Sequence, residues 1–260
     1  MAGSSYDYVR KILPDAKFVE CGVIFDKMRS VKSSEELEIL SEANMATAKA
    51  MSNAFEAASP GDTEKQIARH IMELIQDYGA SRIAFLNFAA GQNVMEPHHM
   101  PGDYRLKRGD LVHVDVGGTW KGYISDISRM AVVGEPSTEQ RKAYEVIIKQ
   151  MWDTAEVMEN GATVQTANEA AKQSYESHGF KYPRYFIGHS IGLSGQEVPF
   201  LAPFHGDWVL EPGMVLQIES SHVASDKIRV HYEDSFVIQE KESALNVSEY
   251  VDSWKLLTIT

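Results

Sequence analysis

The chain repeats itself at an interval of 100 residues. "EAASPGDT" at 56–63 and "EVMENGAT" at 156–163 occupy equivalent joints, and Glu56/Glu156, Gly61/Gly161, Thr63/Thr163 and Gly79/Gly179 all match at that offset. One such match is chance. Four, at places where helices stop and start, indicate a duplicated half-domain. Each copy also reads in the same order. Ser33-x-x-Glu36 is a capping-box pattern that opens a long helix, about 34–58, which Pro60 and Gly61 end. Thr63-x-x-Gln66 caps a second helix running to about Gly79, and strand-rich sequence follows to about 133. Ser137-x-x-Gln140 then opens a third helix that stops at "ENGAT", a fourth runs from about Thr163 to Gly179, and strand-rich sequence returns from 183 to about 240.

The strands extend the repeat. "LKRGDLVHVD" (106–115) aligns with "LEPGMVLQIE" (210–219), which sets Asp115 against Glu219. "ISDIS" (124–128) is answered by "HYEDS" (231–235), which sets Asp126 against Glu233. The stretch 112–129, "VHVDVGGTWKGYISDISR", reads as a hairpin with a Gly-Gly turn and an aspartate in each arm. Aspartate is depleted in strands, because its short carboxylate competes for backbone hydrogen bonds and resists burial. The order of elements predicts an α+β fold: two similar halves about a pseudo-two-fold axis, helices outside and a curved, mainly antiparallel sheet inside.

Four carboxylates near such an axis would repel one another, and in a low-dielectric core they would protonate or push the sheet apart. Bound divalent cations resolve the conflict. His189, at the end of the apolar run in "YFIGHSIG", adds an imidazole. Four oxygen donors and one imidazole suit Mn²⁺, Co²⁺, Fe²⁺ or Zn²⁺. Singly, each residue also has a plain structural role: a turn cap at Asp115, a solvated edge at Glu233, a satisfied core histidine at 189. Composition narrows the partners. The formal net charge is −12, which disfavours a nucleic-acid partner. Cys21 is alone, so neither a disulfide framework nor a cysteine metal site is expected. No apolar run approaches the roughly 18–20 residues that span a bilayer, and "MAGSSYDYVRK" has no apolar core behind its basic residues. A cytoplasmic protein without a membrane partner is the expectation.

"GDLVHVDVGGTWKGYISDISR", "GHSIGL" and "RVHYEDSFVI" resemble the pita-bread metallopeptidases, a family that includes methionine aminopeptidase, aminopeptidase P, prolidase and the non-metal relative creatinase. The resemblance runs from about residue 26 to the end, leaving 1–25 as a short amino-terminal segment, a possible remnant of an amino-terminal domain. It implies a pita-bread catalytic domain over 26–260 that holds two divalent cations, manganese first and Co, Zn or Fe next. By position, Asp115 resembles the terminal ligand of one metal, Asp126 and Glu233 the two bridges, and His189 and Glu219 the terminal ligands of the other. The implied activity is hydrolysis of the Xaa-Pro peptidase type, in a homodimer, on a small peptide or amide. A hydroxide between the metals would be the nucleophile, Glu219 the proton carrier and ligand, and His98, after Pro97, a hydrogen-bond donor on the substrate side.

The sequence departs from the family pattern in three places. Gln196 stands where a second histidine is usual, and a glutamine hydrogen-bonds substrate but transfers no proton. His231 stands where prolidase-like members have arginine, and is a candidate for the acid–base work. "IESSH" replaces a usual Pro-Gly turn after Glu219, which predicts a rearranged loop bringing Ser221 or His222 near the substrate. Three rivals remain: a non-peptidase enzyme on the same scaffold acting on a small metabolite, a catalytically weakened peptide-binding homologue, and a serine hydrolase. The last arises because "GHSIG" (188–192) fits the nucleophile elbow G-x-S-x-G, which requires a helix directly after Ser190.

Overall fold

The computed structural model describes residues 3–180, 182 and 186–260; positions 183–185, where the second strand-rich run was expected to begin, lie outside it. Six helices are present among the described residues: α1 (Gly3–Ile12), α2 (Gly22–Ser30), α3 (Ser34–Ala57), α4 (Glu64–Asp77), α5 (Thr138–Glu156) and α6 (Val164–Ser177). The capping boxes at Ser33/Glu36, Thr63/Gln66 and Ser137/Gln140 are all formed. Ten strands are present among the described residues: β1 (Arg82–Ala90), β2 (Leu111–Trp120), β3 (Tyr123–Ile124), β4 (Ile127–Val133), β5 (Gly188–Ser190), β6 (Glu197–Phe200), β7 (Val215–Val223), β8 (Arg229–Val237), β9 (Leu245–Asn246) and β10 (Leu257–Ile259). The main sheet runs β1-β2-β4-β8-β7-β5-β6 and is antiparallel throughout, while β10 adds a parallel pairing to β4. The expected boundary at residue 25 falls inside α2.

The duplication is visible in matching backbone bonds. Gly61 N–H donates to Leu106 O at 2.8 Å, and Gly161 N–H to Leu210 O at 2.9 Å. Gly109 N–H donates to Val133 O at 2.8 Å, and Gly213 N–H to Ile238 O at 3.0 Å. Each half buries its own apolar layer. Met51, Phe55, Ile67, Ile71 and Ile75 of α3 and α4 cluster with Val112, Val114 and Val116 of β2. Ile147, Met151 and Ala171 of α5 and α6 cluster with Leu216, Ile218, Val230, Tyr232 and Phe236 of β7 and β8. Strand side chains alternate between faces. His113 and Asp115, Gln217 and Glu219, and His231 and Glu233 therefore share the opposite face.

Two details differ from the sequence reading. The hairpin turns at Lys121-Gly122, both with positive φ (50° and 94°), as a two-residue hairpin loop requires. Gly117 and Gly118 lie inside β2 instead. A Cβ on Gly117 would stand 2.1 Å from Ser125 O and 2.5 Å from the Phe85 ring, so glycine there allows two chain segments to close. The second difference is register. Glu219 pairs with Glu233, but Asp115 pairs with Ser128, and Ser128 also faces Glu233 where β4 meets β8. Ser128, not Asp126, is the positional counterpart of Glu233, and the pseudo-two-fold passes between them.

Candidate metal centre

Asp126 sits in a gap between β3 and β4, which explains an aspartate within strand-like sequence. Its backbone leaves the ladder and is satisfied by side chains instead. The N–H donates to Asn44 Oδ1 at 3.1 Å, and the carbonyl accepts from Gln217 Nε2. His189 is placed by close approach of β5 to β7. Gly188 has φ 151°, and a Cβ there would lie 1.8 Å from Gln217 O. His189 Nδ1 is 2.9 Å from Ser190 O, a contact that fits an Nδ1–H donor and directs Nε2 inward.

His189 Nε2 faces three carboxylates at similar distances: Asp126 Oδ2 at 3.6 Å, Glu219 Oε1 at 3.6 Å and Glu233 Oε1 at 3.7 Å. These separations exceed hydrogen-bond length. They suit donors that share an ion held about 2.0–2.2 Å from each. Asp126, His189 and Glu233 are all at least nine-tenths buried. Burial, then the charge of Glu219, pushes the Asp115 carboxyl up to about 7. Burial, then Asp115 and Glu219, pushes Asp126 well above the usual carboxylate range. Burial pushes the His189 imidazole down, opposed by Glu219. Asp115 Oδ1 is buried with no hydrogen-bond partner among the described residues. Carboxylates destabilised by their own neighbours and an inward-facing neutral imidazole are the donor set that a divalent cation satisfies.

The structure thus brings together Asp115, Asp126, His189, Glu219 and Glu233, and adds His231, whose Nε2 lies 3.7 Å from Glu219 Oε2. It does not bring in the other two expected residues by direct contact. His98 is exposed on the loop after β1, although it acts electrostatically on His113. Its neighbour His99 is the anchored one, 3.0 Å from Glu96 and 3.3 Å from the fully buried Glu64. Gln196 is exposed beside β6, and the buried side chain there is Glu197, paired with Arg29 and with Lys32 at 3.6 Å. The rearranged loop after Glu219 is absent, because β7 continues to Val223: Ser220–His222 keep the backbone donors that a proline would remove. His222 instead packs edge-on against Phe180 at 4.2 Å, and Ser221 O accepts from the Tyr175 hydroxyl. The nucleophile elbow also fails. No helix follows Ser190, whose Oγ lies buried 2.9 Å from Lys32 Nζ.

Several supporting residues carried no sequence signal of their own. Arg129 is 2% exposed, donates to Asp234 at 2.6 Å and to Glu233 O at 2.9 Å, and lies 4.4 Å from the Tyr232 ring centroid. Its charge fixes the backbone that carries Glu233. Asn44 and Gln217 hold Asp126, and His113 and Ser128 hold His231. Only the polar residue inside the run "LVHVD" hinted at any of these.

A duplicated α+β shell with carboxylates and an imidazole converging on its axis is a pita-bread protein with a candidate metal centre. The profile of metallopeptidase family M24 matches residues 38–240, and the chain belongs to that family. It is 32% identical over 228 residues to a Xaa-Pro dipeptidase of Pyrococcus furiosus, covering 86% of this chain and 65% of that protein. It is 30% identical to a Xaa-Pro dipeptidase of Pyrococcus horikoshii, covering 92% of this chain and 69% of the relative. The chain therefore spans about two thirds of the length of these relatives. Among solved structures, a prolidase from Pyrococcus horikoshii superposes with a TM-score of 0.90 at 28% identity, over 99% of this chain and 74% of that one. A Xaa-Pro dipeptidase from Bacillus anthracis gives 0.89 at 27% identity, over 99% and 72%. No helix among the described residues is long and apolar enough to cross a membrane.

Proposed function

We propose that residues 26–260 form the catalytic domain of a dinuclear metal-dependent hydrolase of the Xaa-Pro peptidase type. The observation that carries this reading is the convergence of Asp126, Glu219 and Glu233 on His189 Nε2 at 3.6–3.7 Å. The relatives named Xaa-Pro dipeptidase support the substrate class. Asp115, Asp126, His189, Glu219 and Glu233 would hold the cations, with manganese as the native metal. Bound cations would supply a water of lowered pKa and polarise an amide carbonyl. Glu219, partly exposed as Asp115 also is, takes the proton from the attacking water and returns it to the leaving amine. His98, on its exposed loop, donates a hydrogen bond to the substrate side of the developing oxyanion. Gln196 hydrogen-bonds substrate from the opposite edge without transferring a proton. The proposal extends to a homodimeric, cytoplasmic enzyme.

One observation favours a second reading. Gln196 is exposed and His231 is buried where prolidase-like members carry histidine and arginine, so the scaffold would also suit a non-peptide amide of a small metabolite. Metal analysis of the purified protein, with a panel of Xaa-Pro dipeptides and small amides assayed with and without Mn²⁺, separates the two. Turnover of Xaa-Pro dipeptides confined to the metal-loaded protein is expected. Absence of bound metal under every loading condition would end the dinuclear reading, and turnover of small amides alone would move the assignment to the second.

A further inference from the structure

We propose that His231 is itself a metal ligand: held by His113 and Ser128, it joins Glu219 and Glu233 in a second three-donor group beside that of Asp126, His189 and Glu233. The inference rests on the dinuclear reading and changes who holds the second ion.

The geometry has four parts. First, donor atoms of Glu219, His231 and Glu233 all lie within 4.8 Å of one another, as do those of Asp126, His189 and Glu233. Glu233 is common to both groups. Second, Glu219 is shared between two imidazoles, with Oε1 3.6 Å from His189 Nε2 and Oε2 3.7 Å from His231 Nε2. Third, the outer nitrogen of His231 is engaged. Nδ1 lies 3.0 Å from His113 Nε2 and 3.3 Å from Ser128 Oγ, and those two atoms are 2.9 Å apart. With the Nδ1 proton donated outward, the Nε2 lone pair points toward the carboxylates. His189 is built the same way, with Ser190 O at its Nδ1. An imidazole oriented by a hydrogen bond at one nitrogen and presented at the other is the usual form of a metal-ligating histidine. Fourth, strand alternation places His231 two residues before Glu233 on the same face, with Glu219 directly opposite Glu233.

A proton-shuttling role fits this environment less well. A shuttle needs a route for its proton, and the Nδ1 side of His231 leads to His113 at 1% exposure and Ser128 at 0%. A ligand needs the opposite: a dry, fixed support behind the ring. The second imidazole also narrows the metal. Relative to the one-imidazole set for which manganese was proposed above, it shifts the preference toward Fe²⁺ or Zn²⁺.

The test uses the full chain loaded with two equivalents of Co²⁺. In proton NMR, each coordinated imidazole contributes a strongly shifted, exchangeable ring N–H signal. Two such signals are expected, from His189 and His231, with one lost in His231→Gln. Calorimetric titration of that variant should show one tight equivalent instead of two, and His113→Val should weaken the same equivalent by about 10–100-fold. A single exchangeable signal in the wild-type protein carrying two Co²⁺ would overturn the proposal even if every variant misfolds. So would His231→Gln retaining both equivalents at unchanged affinity. A wild-type protein that binds no Co²⁺, Mn²⁺ or Zn²⁺ would instead refute the dinuclear reading on which the inference stands.

Discussion

Replacing Asp115 by asparagine should stabilise the metal-free protein and reduce what the protein gains from bound metal. In the metal-free fold the Asp115 carboxyl is raised from 3.8 to about 7 by burial and by Glu219. A raised folded-state value means that, between those two values, the folded chain keeps a proton that the unfolded chain releases. The group therefore costs nothing below about pH 4, and its cost grows until about pH 7. A shift of about 3 units corresponds to about 4 kcal/mol. Asparagine carries no such cost. The Asp115→Asn protein, stripped by chelator, should exceed wild type by only about 1 kcal/mol near pH 4.5 and by about 4 kcal/mol near pH 7.5, or about 10 °C in Tm for a chain of this size. His113 and His189, held neutral by burial, push stability the other way below pH 6.5, but both proteins contain them and the difference cancels their contribution. Adding cation narrows the gap. Wild type gains about 2.7 kcal/mol at a hundredfold excess over its Kd, and the variant, short of one donor, gains less. Scanning calorimetry across this pH range, with and without Mn²⁺, measures each quantity. A variant no more stable than wild type at pH 7.5, or one equally favoured at pH 4.5, would refute the assignment of Asp115 to a cluster of mutually repelling carboxylates.

Four further outcomes are expected. His98→Ala should lower kcat/KM on Xaa-Pro dipeptides by about 10²–10³-fold, the usual cost of one oxyanion donor, with two bound metals retained by elemental analysis. Arg129→Met strands Asp234 in the core and should cost about 3–5 kcal/mol in urea unfolding. Glu64→Ala should remove hydrogen-exchange protection at Ala90 and Gly102, whose amides donate to its carboxylate at 2.8 Å, and should loosen the loop that carries His98. Ser190→Ala should keep its activity and its sensitivity to chelators, because the buried hydroxyl meets Lys32 and no carboxylate or imidazole of the site among the described residues.

The helices were legible because their signals are local. Ser33, Thr63 and Ser137 cap through side chains three residues away, so the sequence contains the whole interaction. The repeat was legible because glycines with positive φ recur at both sets of joints: Gly61, Gly79, Gly161 and Gly179. Register was not. Asp126 and Glu233 look equivalent in a linear alignment, yet the ladder pairs Ser128 with Glu233. The gap that displaces Asp126 is paid for by Asn44 and Gln217, which lie 82 and 91 residues away in sequence. Partners at such separations leave no periodicity to read. His231 shows the same limit. Its replacement of an arginine was evident in the sequence, but its orientation depends on His113, 118 residues earlier.

The departures from symmetry explain why the two halves need different side chains at their joint. Residues at equivalent positions meet across a pseudo-two-fold, so a strictly repeated chain would bring like groups together there. The ladder makes Arg129 the counterpart of Asp234, and the two form a fully buried ion pair. Two arginines or two aspartates in those places would leave unpaired like charges in the core, several kcal/mol unfavourable. Ser128 and Glu233 obey the same logic one residue earlier. A carboxylate at both would set two negative charges face to face in the ladder. The first half instead carries its carboxylate two residues back, at Asp126, beyond the end of the pairing and within 3.6 Å of His189. The hydroxyl left at position 128 is small enough to admit the two imidazoles, His113 and His231. The duplicated backbone thus supplies rigid strands at fixed spacing, and the chemistry follows from where the copies differ: opposite charges stabilise the axis, and staggered carboxylates leave space for cations between them.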